Sequence, residues 1–360
     1  MSKNYQVGVV GFGLSAKVFQ IPYIQSTPGF ELRAIVQRSV KEAREKHPEA
    51  TVYSSAAELL ADERIDVVVV STPPGTHFEL VSGALNAGKH VIVEKPFCPS
   101  SKECDELIAL AKNKGKILTV FQNRRWDADF ATLKRILAEN KLGRVVEFES
   151  HFDRFDPVVP PRDLVDSPGS GVIYDLGTHL FDQVLNLYGP PTGVTGFLSR
   201  QRERTDSGGP FDACSVLLHY GSGLLVTVKA SPTSADDLQL RFWVRGTKGS
   251  YKKYHLDAQE PQLIDGMRPG DASFGLEEAT KAGLLTVEKD GKLDASPLEN
   301  DPPPTYGAFY SILHGALEGK NPVPVDAREA RNVIRLVELA RESSEKGTTI
   351  SINSDHFLKV

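Results

Sequence analysis

Between residues 5 and 120 the chain alternates short apolar runs with stretches of mixed polarity. Six runs read as strands: 6–10, 30–36, 51–53, 65–71, 90–94 and 117–121. Ile65-Asp-Val-Val-Val-Val-Ser71 is β-branched without apolar/polar alternation, the pattern of a strand covered on both faces of a parallel sheet. Between these runs, 40–47, a stretch opened by Ser54/Ser55, 76–87 and a stretch from Ser100 or Ser101 to Lys114 read as helices. Ser39 and the other serines suit N-caps, while Gly88 and Gly115 suit stops. This order predicts a doubly wound parallel sheet, an α/β Rossmann domain.

The rhythm changes after residue 122. Segment 130–140 reads as a helix, 145–155 as a long strand, 156–170 as a loop and 172–187 as a helix. From 194 to 254, long strand-like runs are separated by turn signals such as Tyr220-Gly-Ser-Gly and Gly246-Thr-Lys-Gly, which predicts a large, mostly antiparallel sheet. Residues 255–305, rich in Gly, Pro and charge, read as surface loops, and 306–318 and 326–346 as helices. Asp326 suits an N-cap and Gly347 a stop. The expected division is a dinucleotide-binding domain over 1–122 and an α+β domain for substrate binding and oligomerisation over 123–360. An open antiparallel sheet of this size needs one face covered; helices can cover one side, and a second subunit often covers the other.

Composition adds bounds. The 360 residues are 40% hydrophobic and carry a net charge of −5, which gives no reason to expect nucleic acid or an anionic membrane as partner. No apolar run approaches the roughly 18–20 residues of a membrane span. Met-Ser-Lys-Asn leads directly into strand with no room for a signal peptide, so a cytoplasmic location is expected. Cys98, Cys104 and Cys214 fit neither zinc spacing nor a disulfide framework and read as reduced thiols.

The chemistry concentrates at strand ends. Gly11-Phe12-Gly13-Leu14-Ser15-Ala16 follows the first strand and opens a helix, the arrangement that brings a dinucleotide pyrophosphate onto backbone N–H groups. After the second strand, where an NAD enzyme usually carries an acid, stand Gln37, Arg38 and Ser39. Arg38, with Ser39 and Lys41, suits a 2′-phosphate, so NADP is expected over NAD. Thr72, Pro73 and His77 follow the fourth strand and Glu94-Lys95-Pro96 the fifth, all on the expected cofactor side; His77 also reads as a packing residue. Lys95 at a sheet's carboxyl end suits contact with a substrate oxygen. Asp175 and His179, four residues apart on an expected helix, share a face and would form an acid–base pair, with Gly177 between them allowing close approach. No third ligand at a recognisable spacing accompanies them, so no metal is expected.

These motifs in this order resemble the Gfo/Idh/MocA oxidoreductases, the family of glucose–fructose oxidoreductase and inositol dehydrogenase, over about residues 5–350. Asn123-Arg-Arg-Trp-Asp127 is similar to the NADP-dependent scyllo-inositol dehydrogenase subgroup. The resemblance implies hydride transfer between NADP(H) and a secondary hydroxyl or ketone of a sugar or cyclic polyol, in a homodimer or homotetramer joined through the sheet. It makes Lys95, Asp175 and His179 the catalytic set: His179 takes the hydroxyl proton, Asp175 orients the imidazole, and Lys95 polarises the oxygen. Arg125, Trp126 and Asp127 are candidates for the substrate side, and His151, Asp153 and Tyr306 are further ones. Alternatives are an aldose C1 or dihydrodiol dehydrogenase, and a non-catalytic NADP-sensing regulator.

Overall fold

The computed structural model describes residues 3–39, 41–204, 208–303 and 305–360. Its first sheet has six parallel strands: β1 Tyr5–Val10, β2 Phe30–Val36, β3 Thr51–Tyr53, β4 Val67–Val70, β5 His90–Glu94 and β6 Leu118–Phe121. They lie in the order β3-β2-β1-β4-β5-β6, the doubly wound arrangement expected. All four residues of β4 are buried, as an apolar run between two helical layers must be. The helices are α1 Ile21–Ser26, α2 Lys41–Lys46, α3 Ala56–Ala61, α4 His77–Asn86 and α5 Ser101–Lys114. The expected start of the second helix, Val40, lies outside the described residues. Local chemistry sets the ends: Ser55 with Glu58 and Ser100 with Glu103 form capping boxes, and Gly115 closes α5 in the left-handed region.

Beyond β6 come α6 Ala128–Ala138, β7 Val145–His151 and α7 Thr178–Tyr188. Strands β8 Gly193–Ser199, β9 Ala213–His219, β10 Leu225–Ala230, β11 Leu240–Gly246 and β12 Gly249–Tyr254 follow, then helix α8 Gln259–Ile264. Strands β13 Gly283–Lys289 and β14 Lys292–Leu298 precede α9 Gly307–Leu317, α10 Ala327–Lys346 and the short β15 Ile350–Ser351. The strands β7–β15 form one nine-stranded sheet, antiparallel throughout except where β7 runs parallel to β10.

Three expectations are corrected here. Residues 255–305 are not only loops, since they hold α8 and the β13–β14 hairpin. Asp290 and Gly291, both at positive φ, turn that hairpin, but the exposed side chains of β14 erase its alternation. The long strand of 145–155 stops at His151, with Phe155 only bridged to Thr233. The helix of 172–187 opens as a π-turn, Ile173–Gly177, before α7.

One face of the large sheet packs Val194, Val216, Val226, Phe148 and Val244 against α7 and α10. On the other face, cross-strand pairing sets Thr195, Leu217, Thr227, Glu149, Trp243, Lys252 and Leu284 in one row. Leu217, Leu284 and nearby Phe197 are exposed there. The two domains are tied together by α9, whose Phe309, Tyr310 and Leu313 join the core of the first sheet. Glu338 of α10 accepts from Ser101 N and Oγ, both at 2.7 Å, and Arg331 pairs with Asp105 at 2.8 Å. The carboxyl ends of β1, β4, β5 and β6 thereby face the π-turn, α7 and the end of β7 across a cleft.

Candidate active site

A cavity of about 550 Å³ runs from Gly13, Leu14 and Ser15 past Thr72, Pro73, Glu94 and Lys95 to Asp175 and His179. Gly11 has φ 100°, and a Cβ there would lie 2.2 Å from Ser71 O, so only glycine fits the turn. A Cβ on Gly13 would meet nothing within 4 Å. That open backbone surface at the start of a helical segment fits a dinucleotide pyrophosphate. Ser15 Oγ and Gln20 Nε2 both donate to Glu94 Oε1, which ties the end of β5 to the glycine turn. Burial pushes the Glu94 carboxyl up. Gln37 Oε1 accepts from Ala43 N at 2.8 Å and serves α2, leaving Arg38 and Ser39 exposed at the end of β2.

Two residues expected on the cofactor side turn away from the cleft. Phe12 directs its ring at His47, 5.7 Å between centroids, so only its backbone is left for the cofactor. His77 is fully buried: Nε2 lies 2.9 Å from Thr72 O and Nδ1 3.0 Å from Pro96 O, so the ring braces the β4 and β5 loops and has no free nitrogen.

Lys95 Nζ donates to Asp175 Oδ1 at 2.7 Å and to Asp175 O at 2.8 Å. The ammonium beside it lowers the Asp175 carboxyl to about 2, and Arg162 lies 3.5 Å from its other oxygen. The expected Asp175–His179 pair is therefore not formed, because the carboxylate follows the stronger charge of Lys95. His179 is 4% exposed and its Nδ1 is buried without a hydrogen-bond partner among the described residues. Burial, then the cations Lys95, Arg124 and Arg241, hold the imidazole well below its usual pKa, so it is neutral.

The expected substrate side is also redrawn. Arg125 makes a bidentate pair with Asp182, at 2.7 and 2.8 Å, and reaches Glu329 at 3.0 Å; all three lie outside this cleft. The Trp126 and Phe309 rings pack in a T-shaped pair, 5.8 Å between centroids. Asp127 and Tyr306 bond to each other at 2.9 Å in the interior. His151 is held between Glu149 and Asp153, at 3.1 and 3.0 Å, and only Asp153 of the three lines the cleft. The physical reason is local: Asn123–Trp126 is a single tight 3₁₀ turn, which sends Asn123 and Arg124 to the cleft and the next residues into the domain junction. The cleft residues that the sequence did not single out include Asn123, Arg124, Phe152, Arg154, Arg162 and Glu260; the first two stood inside the motif already noted. A second cavity of about 380 Å³ adjoins across the Lys95–Asp175 bridge and shares Arg154 and Arg162. The three cysteines are buried and free, and no helix of the described residues is long and apolar enough to cross a membrane.

Two family models match the chain: an oxidoreductase family NAD-binding Rossmann fold over residues 5–122 and the same family's C-terminal alpha/beta domain over 134–352. The uncharacterized oxidoreductase YdgJ of Escherichia coli is 41% identical over 98% of this chain and 100% of its own. The scyllo-inositol 2-dehydrogenase (NADP(+)) IolW of Bacillus subtilis is 34% identical over 96% of each chain. Among solved structures, the oxidoreductase yvaA of Bacillus subtilis superposes with a TM-score of 0.93 at 31% identity, covering 98% of this chain and 99% of its own. With a glycine turn, a lysine–aspartate bridge and a buried histidine along one cleft, and with both domains matched, the chain belongs to the Gfo/Idh/MocA family of NAD(P)-dependent oxidoreductases.

Proposed function

We propose that this oxidoreductase moves hydride between NADP(H) and a secondary hydroxyl or ketone of a sugar or cyclic polyol. The observation that carries the reading is the single cleft joining the glycine turn to Lys95, Asp175 and His179. Gly11–Ser15, Thr72, Pro73 and Glu94 would hold the cofactor, whose nicotinamide supplies or removes the hydride. NADP is favoured over NAD by exposed Arg38 and Ser39 and by the committed side chain of Gln37. The polyol class is supported by the names of two relatives, the scyllo-inositol 2-dehydrogenase IolW and the myo-inositol 2-dehydrogenase of Thermotoga maritima, the latter 28% identical over 68% of this chain. Lys95 and His179 meet the reacting oxygen, while Asn123 and Arg154 offer polar groups to other hydroxyls. The face carrying exposed Phe197, Leu217 and Leu284 is the one through which copies of the chain would associate, in the cytoplasm, as a homodimer or homotetramer. The test is nicotinamide absorbance with a panel of inositols, inososes, aldoses and dicarbonyls against NADP(H) and NAD(H). NADP(H)-dependent turnover of a polyol or its ketone supports the reading; tight cofactor binding without turnover on any of them overturns it.

A further inference from the structure

Two groups converge on the substrate end of the cleft, and their hydrogen-bonding states differ. Lys95 Nζ has three N–H donors and spends two on Asp175, so one is left for the cleft that Lys95 lines. His179 is sealed on its Nδ1 side, beside Phe152, with ring centroids 6.2 Å apart. Its approach to the cleft is therefore through Nε2. A neutral imidazole carries one proton. Placing it on Nδ1 would orphan a buried donor, while placing it on Nε2 leaves only a lone pair buried and points N–H at the cleft.

We propose that His179 acts as a neutral hydrogen-bond donor through Nε2–H, and that Lys95 carries the proton exchanged with the substrate oxygen. The proposal rests on the oxidoreductase reading above and assigns the roles within it. No carboxylate bonds to His179 among the described residues; the charged groups acting on the ring are Lys95 from β5, Arg124 from the 3₁₀ turn and Arg241 from β11. Arg241 is itself fixed by Asp129 at 2.8 Å, and Asp175 is committed to Lys95. Arg124 is likewise paired, with Asp127 and Glu260, so each of these carboxylates already serves another cation and a proton added to the ring would be a buried charge without a partner. In the reducing direction the carbonyl carbon gains two electrons and a proton as hydride from the reduced nicotinamide. The O–H bond forms between a substrate oxygen lone pair and a proton leaving Lys95 Nζ, whose N–H bonding pair stays on nitrogen. The amine regains a proton from solvent. His179 Nε2–H donates to the same oxygen throughout and loses nothing, the role neutral imidazole fills in other carbonyl chemistry.

The first test is ¹⁵N NMR of the cofactor-free protein labelled at histidine, with His179 assigned by the signal missing from His179→Gln. A neutral ring protonated at Nε2 across the neutral pH range is expected; imidazolium, or a proton on Nδ1, overturns the proposal. The second compares His179→Gln, whose amide N–H can replace the Nε2 donor but cannot act as a base, with His179→Ala. Both are checked for folding by thermal melting. His179→Gln is expected to keep kcat within about tenfold of wild type, and His179→Ala to lose about 10²-fold or more. Equal loss in two folded variants overturns the donor role. Absence of wild-type turnover on every substrate would count against the oxidoreductase reading, while the NMR result would still decide the state of His179.

Discussion

Lys95, at the carboxyl end of β5, and Asp175, in the π-turn before α7, meet across the cleft with Nζ 2.7 Å from Oδ1. The bridge holds the lysine between the two domains and gives it a fixed position beside His179. Lys95→Ala removes both the positive charge and the third N–H donor from the cleft. A loss of about 10³-fold in kcat is expected, with the melting temperature changed by only a few degrees, because the carboxylate left behind is half exposed and keeps Arg162. Steady-state kinetics and thermal melting read the two effects separately; wild-type turnover in Lys95→Ala would remove the lysine from the chemistry.

Asp175→Asn keeps the backbone contact to Lys95 and loses the charge. The carboxyl is lowered to about 2, so the pairing is complete above the ordinary carboxylate value and is lost only as pH falls through about 2. The variant is expected to lose about ten- to a hundredfold in kcat by a factor that stays flat between about pH 5 and pH 9. A pH–rate profile in which the two proteins converge within that range would show that the charge of Asp175 is not what matters.

Exchanging Arg38 tests the cofactor preference. Its side chain is exposed at the end of β2 and enters no ion pair among the described residues. Arg38→Asp supplies the acid that holds a ribose diol and repels a 2′-phosphate. The ratio of kcat/KM for NADP to that for NAD is expected to fall by about 10²-fold, or about 2.7 kcal/mol. An unchanged ratio would place cofactor discrimination elsewhere.

The order of strands and the glycine turn were legible in the sequence because each rests on local chemistry: β-branched runs for buried strands, Ser–Glu caps, and Gly11 where no Cβ fits. Lys95, Asp175 and His179 were legible as a set of residues, and the structure brings them to one cleft. Their pairing was not legible, since helical spacing alone puts Asp175 against His179, and only the tertiary approach of β5 brings a stronger partner. Arg125 failed for a related reason. Nothing in Asn-Arg-Arg-Trp-Asp says which arginine a 3₁₀ turn sends to the cleft and which meets Asp182, 57 residues later. The β13–β14 hairpin did carry its Asp-Gly signal, but a strand exposed on both faces leaves no periodicity to flank it.

Arg125 then offers a test of structure against function. It and Asp182 are both buried, and desolvation already pushes the Asp182 carboxyl up. Arg125→Ala leaves that carboxylate without its cation at a cost of about 3–5 kcal/mol in unfolding free energy. The folded fraction is expected to keep its KM for substrate, since the guanidinium does not line the cleft. Urea denaturation and kinetics on the same preparation decide this: a raised KM at undiminished stability would return Arg125 to the substrate side.

Gly11 and Gly13 lie two residues apart and should respond to alanine in different ways. At Gly11 the backbone sits at φ 100° and a Cβ would be driven to 2.2 Å from Ser71 O. The strain alone costs about 1–3 kcal/mol, and the carbonyl must move as well, so Gly11→Ala is expected to lower stability before any cofactor is added. At Gly13 a Cβ meets no protein atom within 4 Å, so Gly13→Ala should melt like wild type. Its methyl would instead occupy the surface a pyrophosphate needs, and the dissociation constant for NADP is expected to rise about tenfold or more, at about 1.4 kcal/mol per tenfold. Calorimetric titration of the folded Gly13→Ala protein is the decisive measurement. Undiminished affinity there would mean that the dinucleotide does not lie on this turn, and the cleft would have to be read from its other end.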